Sequence, residues 1–366
     1  IAMKMTNKQI MVHYFDGKAK MKFEDTNKYD NLFTQEKLFS DPKKSNDRGW
    51  IYANITTKDL SAFITIGFDD MQKSLFHELR YKGKTYRIGN GFCNDSAKFS
   101  NGKFEIKEEK RELSWTGLPS EYEVVATFRK TEEEKSGELK FTYKFTKISD
   151  EMRKFRCIFR QFEHLLAFWM ISPCKGSLDI EGKGDISVFH LGELEELIGK
   201  NIQSNFCYNE NIHLKTPMIS EGWHWSVLDC FTEDEQRVEK IISFMHFFFQ
   251  KGKINIPLYL QLISFDPNTG EAEVFTDADI KLKWESPKTP LLSVKSGAGK
   301  IELKITPKFE IDMHPIKGVM LARMILKTDI DYSTYFCNAE VVIGDKKYNA
   351  IGSAEITGEG KLGYWI

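Results

Sequence analysis

The sequence predicts an all-β protein built from many short antiparallel strands, of sandwich or barrel type. Three observations carry this: period-two alternation through most of the chain, turn signals at short spacing, and few helix-period segments. The alternation is plainest in "ELKFTYKFTKI", where Leu139, Phe141, Tyr143 and Phe145 share one face and Lys140, Thr142, Lys144 and Thr146 the other. "EYEVVATFR" sets Tyr122, Val124, Ala126 and Phe128 in the same register, and "GKIELKITP" does so with Ile301, Leu303 and Ile305. "AEVVIGDKKYNAIGSAEITG" reads as two strands around a Gly344-Asp345 turn. Further turns are predicted at Asp41-Pro42, Asn101-Gly102, Pro173 to Gly176, Pro267 to Gly270 and Ser286-Pro287.

Helices are expected to be few and short. "HLGELEELIGK", His190 to Lys200, spaces Leu191, Leu194, Leu197 and Ile198 as a helix does and ends near Gly199. The stretch from Thr232 to Gly252 has two readings. Thr232 and Glu235 would make a capping box, yet Ile241 to Phe249 is rich in β-branched and aromatic residues. The strand reading is preferred. Strand signals thin between Lys175 and Glu221, which is the natural place for a domain seam.

Bulk composition excludes several classes. Hydrophobic residues make up 41% of 366 positions and 28 residues are Phe, enough for a large core and against disorder. Net charge is -1, from 52 basic and 53 acidic residues, so no footprint for nucleic acid appears. "EIKEEKRE" and "RKTEEEK" mix signs and read as solvated strand ends. No apolar run reaches the roughly 18 residues of a membrane span. "LLAFWMI", Leu165 to Ile171, suits a buried strand instead. "IAMKMTNKQI" lacks the apolar core of a signal peptide, so a cytoplasmic protein is expected. Six cysteines without a CxxC pair suggest reduced, mostly buried thiols and no zinc site.

Catalytic motifs are missing. There is no GxSxG, no phosphate loop and no GxGxxG after a strand. "GNGFCND" and "SGAGK" read as hairpin turns, the latter because Lys300 opens a strand and no helix N-terminus follows. The histidines show no HxH or HExxH spacing, so neither metal nor cofactor is expected. What remains is "SEGWHWSVLDCF", Ser220 to Phe231. In strand register Trp223, Trp225, Val227 and Asp229 share one face, and His224, Ser226 and Leu228 the other. Were the tryptophan face to point inward, Asp229 would be desolvated and become a candidate proton donor. The plainer alternative makes the indoles core and puts Asp229 at the strand end.

Four landmarks, in order, resemble the carotenoid 1,2-hydratase and AttH-like family of lipocalin-like proteins. They are "RGWIYANI" with Trp50 and Tyr52, "EGWHWSVLDCF" with Gly222, Trp223 and Trp225, "LKWESPKTP" with Trp284, Ser286 and Pro287, and "IGSAEITGEG" with Gly352, Glu355, Thr357 and Gly358. The resemblance implies two consecutive lipocalin-like antiparallel β-barrels, residues 1–195 and 196–366, able to hold one apolar molecule. One element departs. Where the family shows a G-x-G-x-x-D-H-x-W-G-like stretch, this chain has Gly182, Gly184 and Asp185, followed by "FHLG" with His190.

The resulting expectation is a protein that binds an isoprenoid, terpenoid or lipid within or between barrels, with brief membrane contact for ligand exchange. As an enzyme it would be a hydratase, cyclase or isomerase without metal or redox cofactor. Asp229 would be the acid, His224 or His190 would orient it or activate water, and Glu355 would be an alternative carboxylate. Trp223, Trp225, Trp50, Tyr52 and Trp284 would line the pocket. The alternatives are a non-catalytic lipid or isoprenoid carrier and a structural β scaffold.

Overall fold

A computed structural model describes the chain apart from residues 1–2, 6–7, 16–20, 44–46, 70–72, 94, 149–154, 216–221, 252–253, 268–270, 277–279, 285–291, 297–300, 308–311, 316–330, 358–361 and 365–366. For 3–4, 69, 222–223, 248–251, 254–259, 276, 280–284, 292–296, 301–307, 312–315, 331–337, 356–357 and 362–364 it describes the backbone alone. The described residues form two compact units, Thr6–Met218 and Ile219–Ile366 with Ile1–Met5. The Asn201–Leu214 strand lies on the second-domain side of a 195/196 boundary. It is nevertheless hydrogen-bonded into the first sheet, between Arg48–Thr56 and His164–Gly184. Ladder pairing along this strand places it with the first unit.

The first unit is a sheet of fifteen described strands, antiparallel except where Gln9–Tyr14 runs parallel to Phe155–Gln161. Alternation decides what it buries. Leu139, Phe141 and Tyr143 are fully covered, as are Val124 and Ala126, while Lys144 and Thr146 are exposed. The sheet curls, so residues distant along it meet on the concave side. The Phe68 ring lies 5.0 Å edge-on to Phe99, and His77 lies 4.6 Å from Phe141. Trp115, Phe104, Phe141 and Tyr143 belong to one continuous cluster of the unit's own side chains.

A buried polar pair sits within that cluster. His77 Nε2 is 2.7 Å from the Tyr143 hydroxyl and its Nδ1 is 3.2 Å from the Ile88 carbonyl. The carbonyl can only accept, so Nδ1 carries the proton and Nε2 accepts from Tyr143. Tyr143→Phe leaves a ring nitrogen unmet at zero exposure. It is expected to cost about 1–3 kcal/mol in urea unfolding of this unit, and a cost near zero would contradict the assigned proton positions.

Three local expectations change. Residues 190–200 do not form an α-helix. Ile186–Phe189 and Gly192–Leu197 are 3-10 segments, parted where His190 (φ 54°) and Gly192 (φ 52°) turn left-handed. Leu191, Leu194 and Leu197 are all buried, and their spacing of three fits the 3-10 period. Pro173 to Gly176 is no turn. It lies inside one strand, His164–Gly184, and a register shift between Cys174 and Gly176 absorbs the bend. "GNGFCND" is not a hairpin turn either, since Lys84–Arg87 and Gly91–Phe92 both pair with Lys73–Tyr81. Asn101-Gly102 does make a hairpin turn, with both φ positive. The turn expected from Pro267 to Gly270, the Ser286-Pro287 turn and most of "SGAGK" fall largely outside the described residues.

The second unit is a sheet of twelve described strands, antiparallel throughout. Its central run is Ile254–Phe265, Val238–Lys251, Gly222–Phe231, Lys346–Thr357 and Asp331–Ile343. Ile241 to Phe249 is therefore strand. The Gly344-Asp345 turn joins the last two strands, with Ile343 opposite Lys346.

Candidate functional site

The strand Gly222–Phe231 lies between two neighbours, and from His224 to Cys230 each residue has a ladder partner on both sides. His224 faces His246 and Ile356, Ser226 faces Phe244 and Ala354, and Leu228 faces Ile242 and Gly352. The adjoining hairpin tells the two faces apart. On one face Ala339, Val341, Tyr348 and Ala350 are buried; on the other Glu340, Lys347 and Asn349 are exposed. Ala350 lies opposite Cys230, so Cys230, Leu228, Ser226 and His224 share the face that this hairpin buries, taken as the inner face; on the other neighbouring strand the same face runs out to Lys240, opposite Cys230 and paired with Asp266. Trp225, Val227 and Asp229 take the face that carries exposed Lys347 and Glu340 in one direction along the sheet and buried Ile241, Ile263 and Val274 in the other. Asp229 and Trp225 are nonetheless buried, at 0% and 3% exposure.

The inner face carries an imidazole pair. His224 Nδ1 and His246 Nδ1 are 3.3 Å apart and both rings are fully buried. Burial pushes the His246 pKa down to about 3. It pushes His224 well below its usual value, and the neighbouring His246 adds to this. Both rings are thus neutral at pH 7. One Nδ1–H donates to the other Nδ1, so of the two Nε2 atoms one is a donor and the other an acceptor. One ladder step away is Ser226, 0% exposed, whose hydroxyl has no hydrogen-bond partner among the described residues. The surrounding wall is apolar: Phe244, Leu228, Ile242, Leu260, Leu262 and Ala354 are all buried. The Cys230 thiol on this face is raised well above its usual pKa by burial, so it stays protonated.

Asp229 and His224, expected to work together, lie on opposite faces of one strand. Glu355 is half-buried on the Asp229 face, opposite Trp225, with Ser353 and Ile351 following it along the strand towards Asp229. His190 belongs to the first unit. Its side chain is 69% exposed and its Nε2 lies 2.9 Å from Glu132. Trp223 and Trp284 are placed by backbone alone, at the start of Gly222–Phe231 and the end of Ile280–Trp284.

Trp50 and Tyr52 point to a residue that sequence reasoning missed. The Trp50 indole donates to Glu210 Oε1 at 2.7 Å, and the Tyr208 hydroxyl donates to the other carboxylate oxygen. Tyr52 stacks on Phe63 and meets Tyr208 edge-on. Glu210 is fully buried, on a strand that also buries Asn209, Asn211 and His213. "CYNENIHL" carried the signal: four polar side chains inside a strand-like run. His246 was missed for a different reason, since "SFMHFFFQ" read as plain core.

A groove of about 800 Å³ in the first unit is lined by Leu32, Lys37, Asp41, Asp47, Leu165 and Lys215 among others. One ion pair lies within its rim, Lys215–Asp47 at 3.3 Å. Among the described residues no cluster of three metal-ligating side chains occurs, and no helix is long and apolar enough to cross a membrane.

No protein-family profile and no curated protein matches the chain. Among solved structures it is similar to an AttH protein from Nitrosomonas europaea, with a TM-score of 0.44 and 10% identity over 87% of this chain and 95% of that one. It is also similar to CghA crystallised with Sch210972, with a TM-score of 0.49 and 9% identity over 87% and 90% of the two chains. At this distance the site has to be read from its own residues.

Proposed function

We propose that the protein binds an apolar small molecule of isoprenoid, terpenoid or lipid type against the inner face of the second unit. The Ser226 hydroxyl carries this reading. It is fully buried in an apolar wall, beside a neutral imidazole pair, and has no hydrogen-bond partner among the described residues. An unmet buried hydroxyl costs about 1–3 kcal/mol, which a ligand with one polar atom on an apolar body would offset. A mostly apolar wall with a few polar groups to fix orientation is the usual make-up of a small-molecule site.

The carrier role is preferred to catalysis. Neutral imidazoles with depressed pKa values are poor donors of the proton that would start hydration or cyclisation of an alkene. The carboxylate expected to supply that proton, Asp229, is on the opposite face. The first unit, filled by its own side chains, would serve as scaffold.

Ser226→Ala removes the hydroxyl and little volume. It is expected to leave thermal stability unchanged or raised, and to weaken saturable uptake of farnesol about tenfold, the loss of one hydrogen bond. Isothermal titration of the purified chain measures this. Undiminished affinity in Ser226→Ala would remove the inner face from the site.

A further inference from the structure

We propose that one end of the first unit contacts a lipid bilayer, through Phe15 and Phe162. This proposal stands on its own geometry and does not depend on the ligand reading. Gln9–Tyr14 and Phe155–Gln161 pair in parallel, with Tyr14 opposite Arg160. The Phe15 N–H then donates to the Arg160 carbonyl at 2.9 Å, so both strands end at the same place. Two large apolar rings are exposed there, Phe162 at 64% and Phe15 at 40%. The Phe15 ring is braced by stacking on Phe159 at 6.3 Å.

Phe162 is costly in two ways. It opens the two-residue turn between Gln161 and His164 with φ at +51°, a conformation that suits glycine or asparagine and strains a bulky side chain. Its ring also faces water. A glycine would remove both costs, so the ring calls for a use that repays them.

Area decides the occupant. The two exposures together amount to roughly one Phe side chain, on the order of 200 Å². A stable protein interface needs about 800 Å² per partner. Two rings at a hairpin tip suit shallow insertion into a bilayer, where apolar burial alone suffices for weak, reversible binding. Among the described residues nearby, two charge pairs are matched: Arg160 lies 3.3 Å from Glu163 and Lys28 lies 3.3 Å from Glu24. Balanced charge favours zwitterionic over anionic lipid.

The test is co-sedimentation of the full chain with phosphatidylcholine vesicles. The wild-type chain is expected to bind them, and Phe15→Ser and Phe162→Ser are each expected to weaken binding about tenfold. Both positions are exposed, so the variants should keep the wild-type melting curve. In Phe162→Trp, emission should shift to the blue when vesicles are added. No co-sedimentation of the wild type, undiminished binding by the double serine variant, or an unshifted Trp emission in a sample that does sediment would overturn the proposal.

Discussion

Gly352→Ala is expected to destabilise the second unit severely. A Cβ at this position would lie 1.8 Å from the Val227 carbonyl oxygen and 2.8 Å from its carbon. Both are backbone atoms of the adjacent strand, so no rotamer change relieves the clash. The ladder between Gly222–Phe231 and Lys346–Thr357 would have to part around the Leu228–Gly352 pair. Overpacking costs typically 1–3 kcal/mol, and each ladder hydrogen bond lost adds about 1 kcal/mol, giving about 4 kcal/mol or more in all. Gly344→Ala is the control. Gly344 has φ of +61° but no atom within 4 Å of the added Cβ, so only backbone strain of about 1–2 kcal/mol is expected. Urea unfolding followed by circular dichroism separates the two variants. A Gly352→Ala protein within about 1 kcal/mol of wild type would contradict the close strand approach.

Acid is expected to destabilise each unit steeply, starting near pH 6.5. His77 and His213 in the first unit are held at about pKa 3 by burial. In the second unit His246 is held at about 3 and His224 well below its usual value. In the unfolded chain all four titrate near about 6.5. Above that pH neither state binds these protons and the stability is fully present. Below it the unfolded chain takes up protons the native state refuses, so stability falls as pH falls towards 3. Two protons per unit give a slope approaching about 3 kcal/mol per pH unit around pH 5 to 6. Urea midpoints measured between pH 5 and 8 check this. In His77→Phe the slope of the first unit should fall to about half. A flat profile would mean that the rings are hydrated in the native protein.

Alternation made the strands legible. Where one face is apolar and the other charged, as from Leu139 to Thr146, both the element and its buried face could be read directly. The same rule fails where both faces are buried. Along His224 to Phe231 every residue is covered, so alternation separates the faces without saying which is inner. That is why Trp225 and Asp229 could be assigned to one face together, while the sequence left open which face meets a ligand. The hairpin Asp331–Ile343 with Lys346–Thr357, whose far end reaches solvent, tells the two faces apart on its own side of the strand. His246 and Glu210 depend on partners 22 and 160 residues away along the chain, a relation that only the ladder reveals. The helix expected at His190 had the right buried leucines and the wrong period, because spacing of three fits a 3-10 segment as well.

The direct measurement is native mass spectrometry of the purified full chain, paired with analysis of its organic extract. A co-purified apolar compound, or one-to-one uptake of added farnesol that Ser226→Ala weakens, is the predicted result. A chain that stays at its bare mass, yields no apolar compound and takes up no farnesol at saturating concentration would contradict a ligand site on the inner face of the second unit.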